Sequence, residues 1–347
     1  MLLQFERGSY KVGYYDVMQI PLSKLQTKMQ SVLKAKGYRD EDIPFIINMY
    51  LGGELRGHTS HGLASFPSFV SEDFSQLEKP EVIKATASTF FIDAKGNPGT
   101  LVGKQAADEA MQRAKREITG TAIIKNMDSW LRPGAIAEYI AEQGMVAIVI
   151  NNGGGAAIAP PGGYDPVTGT NPIAYGVPTN NGPLVVDLAT SKRAWGQVRL
   201  ANKYGTDLPA DTFYDEKGNV TLDPKEAYSV MPFGDYKGFS LALLIEMLCG
   251  SLIAMPMLQV SSAGSSFGVK MLNRGGLIFV IDPEQTVGLM QFKEDNAEYI
   301  AKIKSTRART GEEVRIPGEK AGKEQAAKQE SGFVEIPDEL WVEIEAL

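Results

Sequence analysis

Three short apolar runs, Thr121–Ile124, Val146–Ile150 and Leu184–Leu188, each bounded by glycine or asparagine, constrain this chain more than any other feature. Runs of that length read as buried strands rather than helices. A fourth, Gly276–Ile281, and the segment Thr89–Asp93 read the same way. Between and before them the apolar period is helical. Leu22, Leu25, Met29, Val32 and Leu33 share one face of a helix over 22–36, with lysines opposite and Gly37 ending it. A second helix starts near Glu41 and carries Ile43, Ile46, Ile47, Tyr50 and Leu51; a third over 101–118 carries Val102, Ala106, Ala110, Met111, Ala114 and Ile118. The pattern is α/β, with a helical unit before the change in character at Lys79-Pro80. Gly238–Ala254, apolar except for Glu246, is too short and too polar for a membrane span and reads as a central core helix. The last ten residues, with Leu340, Trp341, Ile344 and Leu347, read as a short amphipathic helix after a charged, alanine-rich stretch from Glu312 to Gly332.

The charge balance excludes several partners. A net charge of −7 argues against nucleic acid and anionic membrane surfaces, while leaving room for a locally positive pocket that takes a small anion. The single Cys249 excludes an internal disulfide and lies in an apolar run, as a buried hydrophobe does. No signal peptide opens the chain, so the cytosol is the expected compartment.

Both histidines of the chain, His58 and His61, fall in Gly57-His58-Thr59-Ser60-His61-Gly62, where the second helix runs out. Histidine gives and takes protons near neutrality, so one reading is a general acid/base at His61 with Ser60 beside it to hold or relay the proton. The other is a helix C-terminus, where a histidine is favoured by the dipole and Gly62 supplies the cap. No Cys or further ligand accompanies the pair, so no metal site is expected. The connecting segments Asn151–Gly155 and Ala159–Gly163 are rich in glycine and proline, suited either to turns or to close approach of backbone to a phosphate. None has the Gly-x-Gly-x-x-Gly spacing of the usual dinucleotide fold, and there is no Walker loop.

Six motifs in order, Ser60-His61-Gly62, Gly169–Ala174, Val186–Ser191, Asp223-Pro224, Pro232–Gly238 and Pro317-Gly318-Glu319, carry a resemblance. Over about residues 20–347 the chain resembles the type-2 malate/L-lactate dehydrogenase family, which includes sulfolactate and ureidoglycolate dehydrogenases, diketogulonate reductase and reductases of piperideine and pyrroline carboxylates. The resemblance implies a non-Rossmann α/β fold: a helical N-terminal subdomain over 1–78, a central NAD(P)-binding domain over 79–290, and a C-terminal helical segment over 291–347 packing back on the N-terminal unit. It also implies NAD or NADP as cofactor, a small-molecule substrate and a homodimer. His61 takes the role of proton donor with Ser60 as its neighbour. Val185, Val186, Asp187, Leu188, Ala189 and Thr190, with Tyr236, Lys237, Gly318, Glu319 and Lys320, match the cofactor contacts. Without the resemblance, 185–188 would be a core strand and Lys237 a solvated lysine.

The resemblance places Ser65, Ser129, Arg132 and Asn171 at the substrate end. Many members carry arginine where this chain has Ser65 and histidine where it has Ser129. The imine reductases carry aspartate where it has Gln197. Arg132, which with Trp130 is similar to the diketogulonate branch, reads equally as a replacement carboxylate clamp or as a loop arginine facing water. Lys192-Arg193 follow a cofactor segment and read either as a 2′-phosphate site or as ordinary surface charge. The expected activity is hydride transfer to a carbonyl of a 2-oxo acid or related keto compound, with an imine substrate or a catalytically silent binding protein as the alternatives.

Overall fold

The computed structural model describes residues 17–58, 61–74, 76–153, 155–255 and 274–347. Strand β1 (Val17–Pro21) leads into helix α1 (Leu22–Ala35), whose Leu25, Met29, Val32 and Leu33 are buried as their spacing predicts, and then α2 (Ile43–Leu55) and α3 (Phe66–Ser71). Strands β2 (Glu81–Ala85) and β3 (Thr89–Asp93) precede α4 (Gly99–Glu117) and β4 (Thr119–Met127). Next come α5 (Pro133–Glu142), β5 (Val146–Asn151), β6 (Ile173–Val177), β7 (Leu184–Leu188) and α6 (Gly196–Tyr204). A small three-stranded sheet holds β8 (Phe213–Tyr214), β9 (Val220–Thr221) and β10 (Ser229–Val230), and is followed by α7 (Tyr236–Cys249). The chain ends with β11 (Arg274–Ile281), α8 (Leu289–Lys304), α9 (Glu319–Ser331), β12 (Phe333–Pro337) and α10 (Asp338–Ala346).

The main sheet runs β2-β3-β4-β11-β5-β6-β7, and of its pairings only β3–β4 is parallel. This mixed sheet departs from the repeated strand–helix–strand unit of a dinucleotide fold, in agreement with the missing glycine fingerprint. The apolar runs became strands, but β6 and α5 lie in stretches whose glycine, proline and alanine content hid their periods. Helices α4 and α5 bury their small-residue faces, Ala106, Ala110 and Ala114, and Ala135, Ala137 and Ala141, against the sheet. At Gly120 the contact is closest, where a Cβ would stand 1.8 Å from the Ala110 carbonyl oxygen.

One expectation is corrected. Helix α7 buries only Gly238, Ala242, Ile245 and Cys249, while Leu243, Leu244 and Met247 are exposed, so it lies on the outside of the sheet rather than at the centre of a core. Tyr236–Ile253 is long and apolar enough by composition to cross a membrane, and its buried face packs on β5 and β11. The two ends of the described chain meet: β1 pairs antiparallel with β12, and Trp341 and Ile344 of α10 join the same core as α1 and α2.

Gly120→Ala forces its new methyl into backbone, which helix and strand relieve only by moving apart. The expected cost is about 1–3 kcal/mol, read as a lower denaturant midpoint with an unchanged slope.

Candidate active site

The histidine segment is shaped by two glycines of α2. His58 N donates to the Gly53 carbonyl (2.9 Å) and His61 N to the His58 carbonyl (3.0 Å), so the chain folds back over the last turn of the helix. A Cβ at Gly53 would stand 2.6 Å from the His61 carbonyl oxygen and 3.3 Å from Arg132 Nε, and one at Gly52 3.4 Å from Arg132 Nη2 and from Arg56 Nη1. The His61 backbone carbonyl and the Arg132 guanidinium, seventy-one residues apart, therefore rest on the same bare patch of α2. Gly62 leaves room for the buried Glu54, whose carboxylate accepts from Leu63 N (3.3 Å) and whose pKa is raised by burial. Ser60 lies outside the described residues.

Burial lowers the His61 pKa to about 4, reinforced by charge from His58, Arg199, Arg132 and Arg274. Arg132, at the N-terminus of α5, is 4% exposed, which removes the reading of a loop arginine facing water. Its Nε and Nη2 are enclosed without a hydrogen-bond partner among the described residues. Burial lowers its pKa, and the opposing charges are Asp187 on β7, the larger effect, and Glu138. Asp187 accepts from Gly134 N (3.0 Å) at the first turn of α5, and Gly134 has no side chain because that carboxylate occupies the space, 2.6 Å from where a Cβ would be. Arg56 pairs with Glu138 in a buried salt bridge beside Arg132.

The segments matched to cofactor contacts converge on β7, the edge strand of the sheet. Gly318 adopts φ +84°, and a Cβ there would stand 2.1 Å from the Val185 carbonyl oxygen. Glu319 is held by Lys304, by Lys323 (2.9 Å) and by Ile316 N (3.0 Å), which keep its carboxyl well below the usual range. At the other end of β7, Thr190 donates twice to the Thr170 carbonyl, N and Oγ1 both at 2.9 Å. Phe233 N donates to the Thr190 carbonyl (3.0 Å), and a Cβ at Gly238 would stand 2.6 Å from that oxygen, which brings the first turn of α7 against β7. Tyr236, Lys237, Leu188 and Lys320 are exposed around this edge, with Val186 buried behind it and Ala189 half-buried.

At the substrate end the placements diverge. Ser65 starts α3, half-buried, with its N–H on the Gly62 carbonyl (3.1 Å). Ser129 Oγ accepts from Leu131 N (3.0 Å), which fixes the turn that aims Arg132. Asn171 is corrected: it is fully buried, with Oδ1 accepting from Gly153 N (2.7 Å). Its Nδ2 lies within donating distance of Thr168 Oγ1 (2.7 Å), Glu246 (2.8 Å) and the Ala242 carbonyl (2.9 Å). Its amide braces the glycine-rich loop against α7 and has no atom left for substrate. Two guanidiniums escaped the sequence reading, Arg199 on α6 and Arg274 at the start of β11. Arg274, a basic residue leading into an apolar strand, was the visible signal. Among the described residues no group of three or more His, Cys, Asp or Glu is placed to hold a metal.

A histidine segment and a buried guanidinium seated on one glycine pair of α2, with Asp187 of the edge strand as an opposing charge, is an arrangement that an α/β oxidoreductase can use. The malate/L-lactate dehydrogenase family model matches residues 20–345, and the chain belongs to that family. It is 31% identical over 329 residues to the malate/(S)-sulfolactate dehydrogenase of Methanothermus fervidus, covering 90% of this chain and 95% of that one. It is 28% identical to the Δ1-pyrroline-2-carboxylate/Δ1-piperideine-2-carboxylate reductase of Pseudomonas putida, over 93% and 95% of the two chains. The sulfolactate dehydrogenase structure from Methanocaldococcus jannaschii superposes with a TM-score of 0.82 at 28% identity, covering 94% of this chain and 95% of that one.

Gly53→Ala drives a methyl into the His61 carbonyl and against Arg132 Nε while leaving both residues' chemistry unaltered. A loss of about 100-fold in kcat/KM is expected from displacement of the two groups, with the far-ultraviolet circular dichroism spectrum unchanged.

Proposed function

We propose that the chain is an NAD(P)H-dependent reductase of a carbonyl next to a carboxylate, with His61 as proton donor and Arg132 as the carboxylate clamp. The observation that carries the reading is the shared seat of His61 and Arg132 on Gly52-Gly53. A planar guanidinium with unpartnered Nε and Nη2 matches a carboxylate in two parallel bonds, and the relatives' names include malate, sulfolactate and imino acids. Arg132 replaces the arginine that Ser65 lacks.

The open edge of β7 fits a nicotinamide dinucleotide. Its outer backbone is unpaired by any described strand, and exposed Tyr236 and Lys237 offer a ring to stack on and a cation for pyrophosphate. When bound, the reduced nicotinamide supplies a hydride. His61 supplies the proton that the carbonyl oxygen needs, because an alkoxide left in a buried pocket is costly. The positive charges of Arg199 and Arg274, which reach His61 beside that of Arg132, stabilise the negative charge that develops on that oxygen. The chain is proposed to act as a homodimer, with light-scattering mass as the check. Lys192 Nζ is held by the Asp211 carbonyl (2.7 Å), so it is not poised for a 2′-phosphate. Separate fluorescence titrations with NADH and NADPH show which the protein prefers, and binding of neither by folded protein refutes the proposal.

His61→Gln keeps the volume and removes the proton; kcat for reduction is expected to fall by about 10²–10⁴-fold with nucleotide binding retained. Full turnover in that variant rules His61 out as donor.

The depressed His61 pKa gives a sign to the pH profile. In the free enzyme the group is neutral above about 4, the form needed as base for oxidation, so kcat/KM for oxidation is expected to stay level down to about pH 5. For reduction the protonated form is needed, so kcat/KM rises about tenfold per unit as pH falls from neutrality toward about 4. A reduction profile that levels off near 6.5 contradicts this.

A further inference from the structure

Two buried groups of opposite charge on α5 are left unmet and do not meet each other. Arg132 Nε and Nη2 are enclosed without a hydrogen-bond partner among the described residues, and so is Glu138 Oε2 further along the helix. The two are within electrostatic reach, since Glu138 favours the charged form of Arg132. An unmet donor and an unmet acceptor are both costly in a low dielectric, so a pair of this kind ordinarily bonds. Arg56 accounts for the separation. From the end of α2 it holds Glu138 through Nη2 and Oε1, with the two side chains 10% and 9% exposed. Its other terminal nitrogen, Nη1, is enclosed and unpartnered among the described residues. A Cβ on Gly52 would stand 3.4 Å from that nitrogen and 3.4 Å from Arg132 Nη2. The charges therefore run Glu138, Arg56, Arg132, with the space of one absent methyl between the two guanidiniums. Asp187, the larger opposing charge of Arg132, is engaged by Gly134 N (3.0 Å).

Stability does not call for this order. A buried ion pair replaced by apolar side chains of similar volume commonly leaves a fold as stable or more so. A second cation beside Arg132 repels it, and Arg56 does oppose its charge. The arrangement has a different result: the carboxylate most able to capture the Arg132 fork is already taken, and a like charge bars the way to it.

We propose that Arg56 is a positioning residue that occupies Glu138 and keeps Arg132 from it, so that the Arg132 fork stays open to the carboxylate of a substrate. The inference rests on the reading of Arg132 as the clamp. It assigns the bare Cα of Gly52 a second purpose, as the gap across which the two guanidiniums face each other.

The test uses the full-length protein as wild type, Arg56→Met, Arg56→Lys, Arg132→Met and the double variant Arg56→Met/Glu138→Leu. Crystal structures of wild type and Arg56→Met read the position of Arg132 directly. The variant is expected to show Arg132 bonded to Glu138, and wild type is not. Calorimetric binding of oxamate, an unreactive analogue of a 2-oxo acid, with NADH or NADPH present reads the consequence. Arg56→Met is expected to bind oxamate about 10–100-fold more weakly than wild type, and Arg56→Lys, which keeps the charge, to recover part of the loss. The double variant has no carboxylate at 138 to capture Arg132. Its affinity is expected within about threefold of wild type, at an unchanged or higher Tm. A pair that is merely structural would lower the Tm of Arg56→Met and leave its oxamate affinity alone. That result, an Arg132 that stays in place in Arg56→Met, or a double variant as weak as the single one overturns the proposal. If Arg56→Met does not fold, the double variant decides by the same affinity criterion, and failure of both to fold shows the pair to be structural and overturns it as well. Arg132→Met separates the two readings. Wild type that binds no oxamate, or binding that survives Arg132→Met, refutes the clamp; the crystal structures then decide by themselves whether Arg56 keeps Arg132 from Glu138.

Discussion

The site depends on one close contact, the seating of two distant chain segments on the bare Gly52-Gly53 face of α2. A helix normally excludes other backbone by the radius of its side chains. With two adjacent glycines, the His61 carbonyl and the Arg132 guanidinium approach the helix itself, and glycine's cost of about 0.5–1 kcal/mol per residue in a helix is the penalty accepted for it. The same contact removes water from both groups. Burial lowers the His61 pKa and leaves Arg132 Nε and Nη2 enclosed without a hydrogen-bond partner among the described residues.

Charge then ties the two halves of the reaction together. Asp187 belongs to the strand that carries the proposed cofactor contacts, yet its carboxylate caps α5 and is an opposing charge for Arg132. A shift of β7 therefore moves an opposing charge of Arg132, the proposed clamp. Helix α9 makes a second link. Its N-terminal Gly318 abuts Val185 of β7, while Lys328 near its end donates to the Glu54 carbonyl (2.9 Å) and Glu324 lies beside Gly57 at the histidine segment. One helix of about 20 Å thus spans from β7 to the histidine segment. The β1–β12 pairing keeps that helix in place by closing the described chain on itself.

Much of this was legible in the residues. α1, α2, α4, β3, β5 and β7 announce themselves through regular apolar periods, because a stripe or run that must leave water has to repeat with the element that buries it. α5 and β6 did not, since Pro133, Gly134 and three alanines, or Ala174 and Gly176, carry little hydrophobic contrast. α7 misled in the opposite direction: its apolar length suggested a core, and its exposed Leu243, Leu244 and Met247 show that composition does not report burial. Among site residues, His61 was visible as one of two histidines, while Arg274 and Arg199 were ordinary basic residues until the fold placed their charges around it.

The sequence by itself determined the family, and supplied His61 as the proposed proton donor and three proposed cofactor segments, because each depends on residue type within a short stretch. Tertiary structure decided which arginines face the histidine, that Asn171 braces a loop, and that Asp187 answers Arg132. Those outcomes rest on burial and on distances between residues far apart in the chain, and electrostatic strength follows distance and local dielectric rather than sequence order.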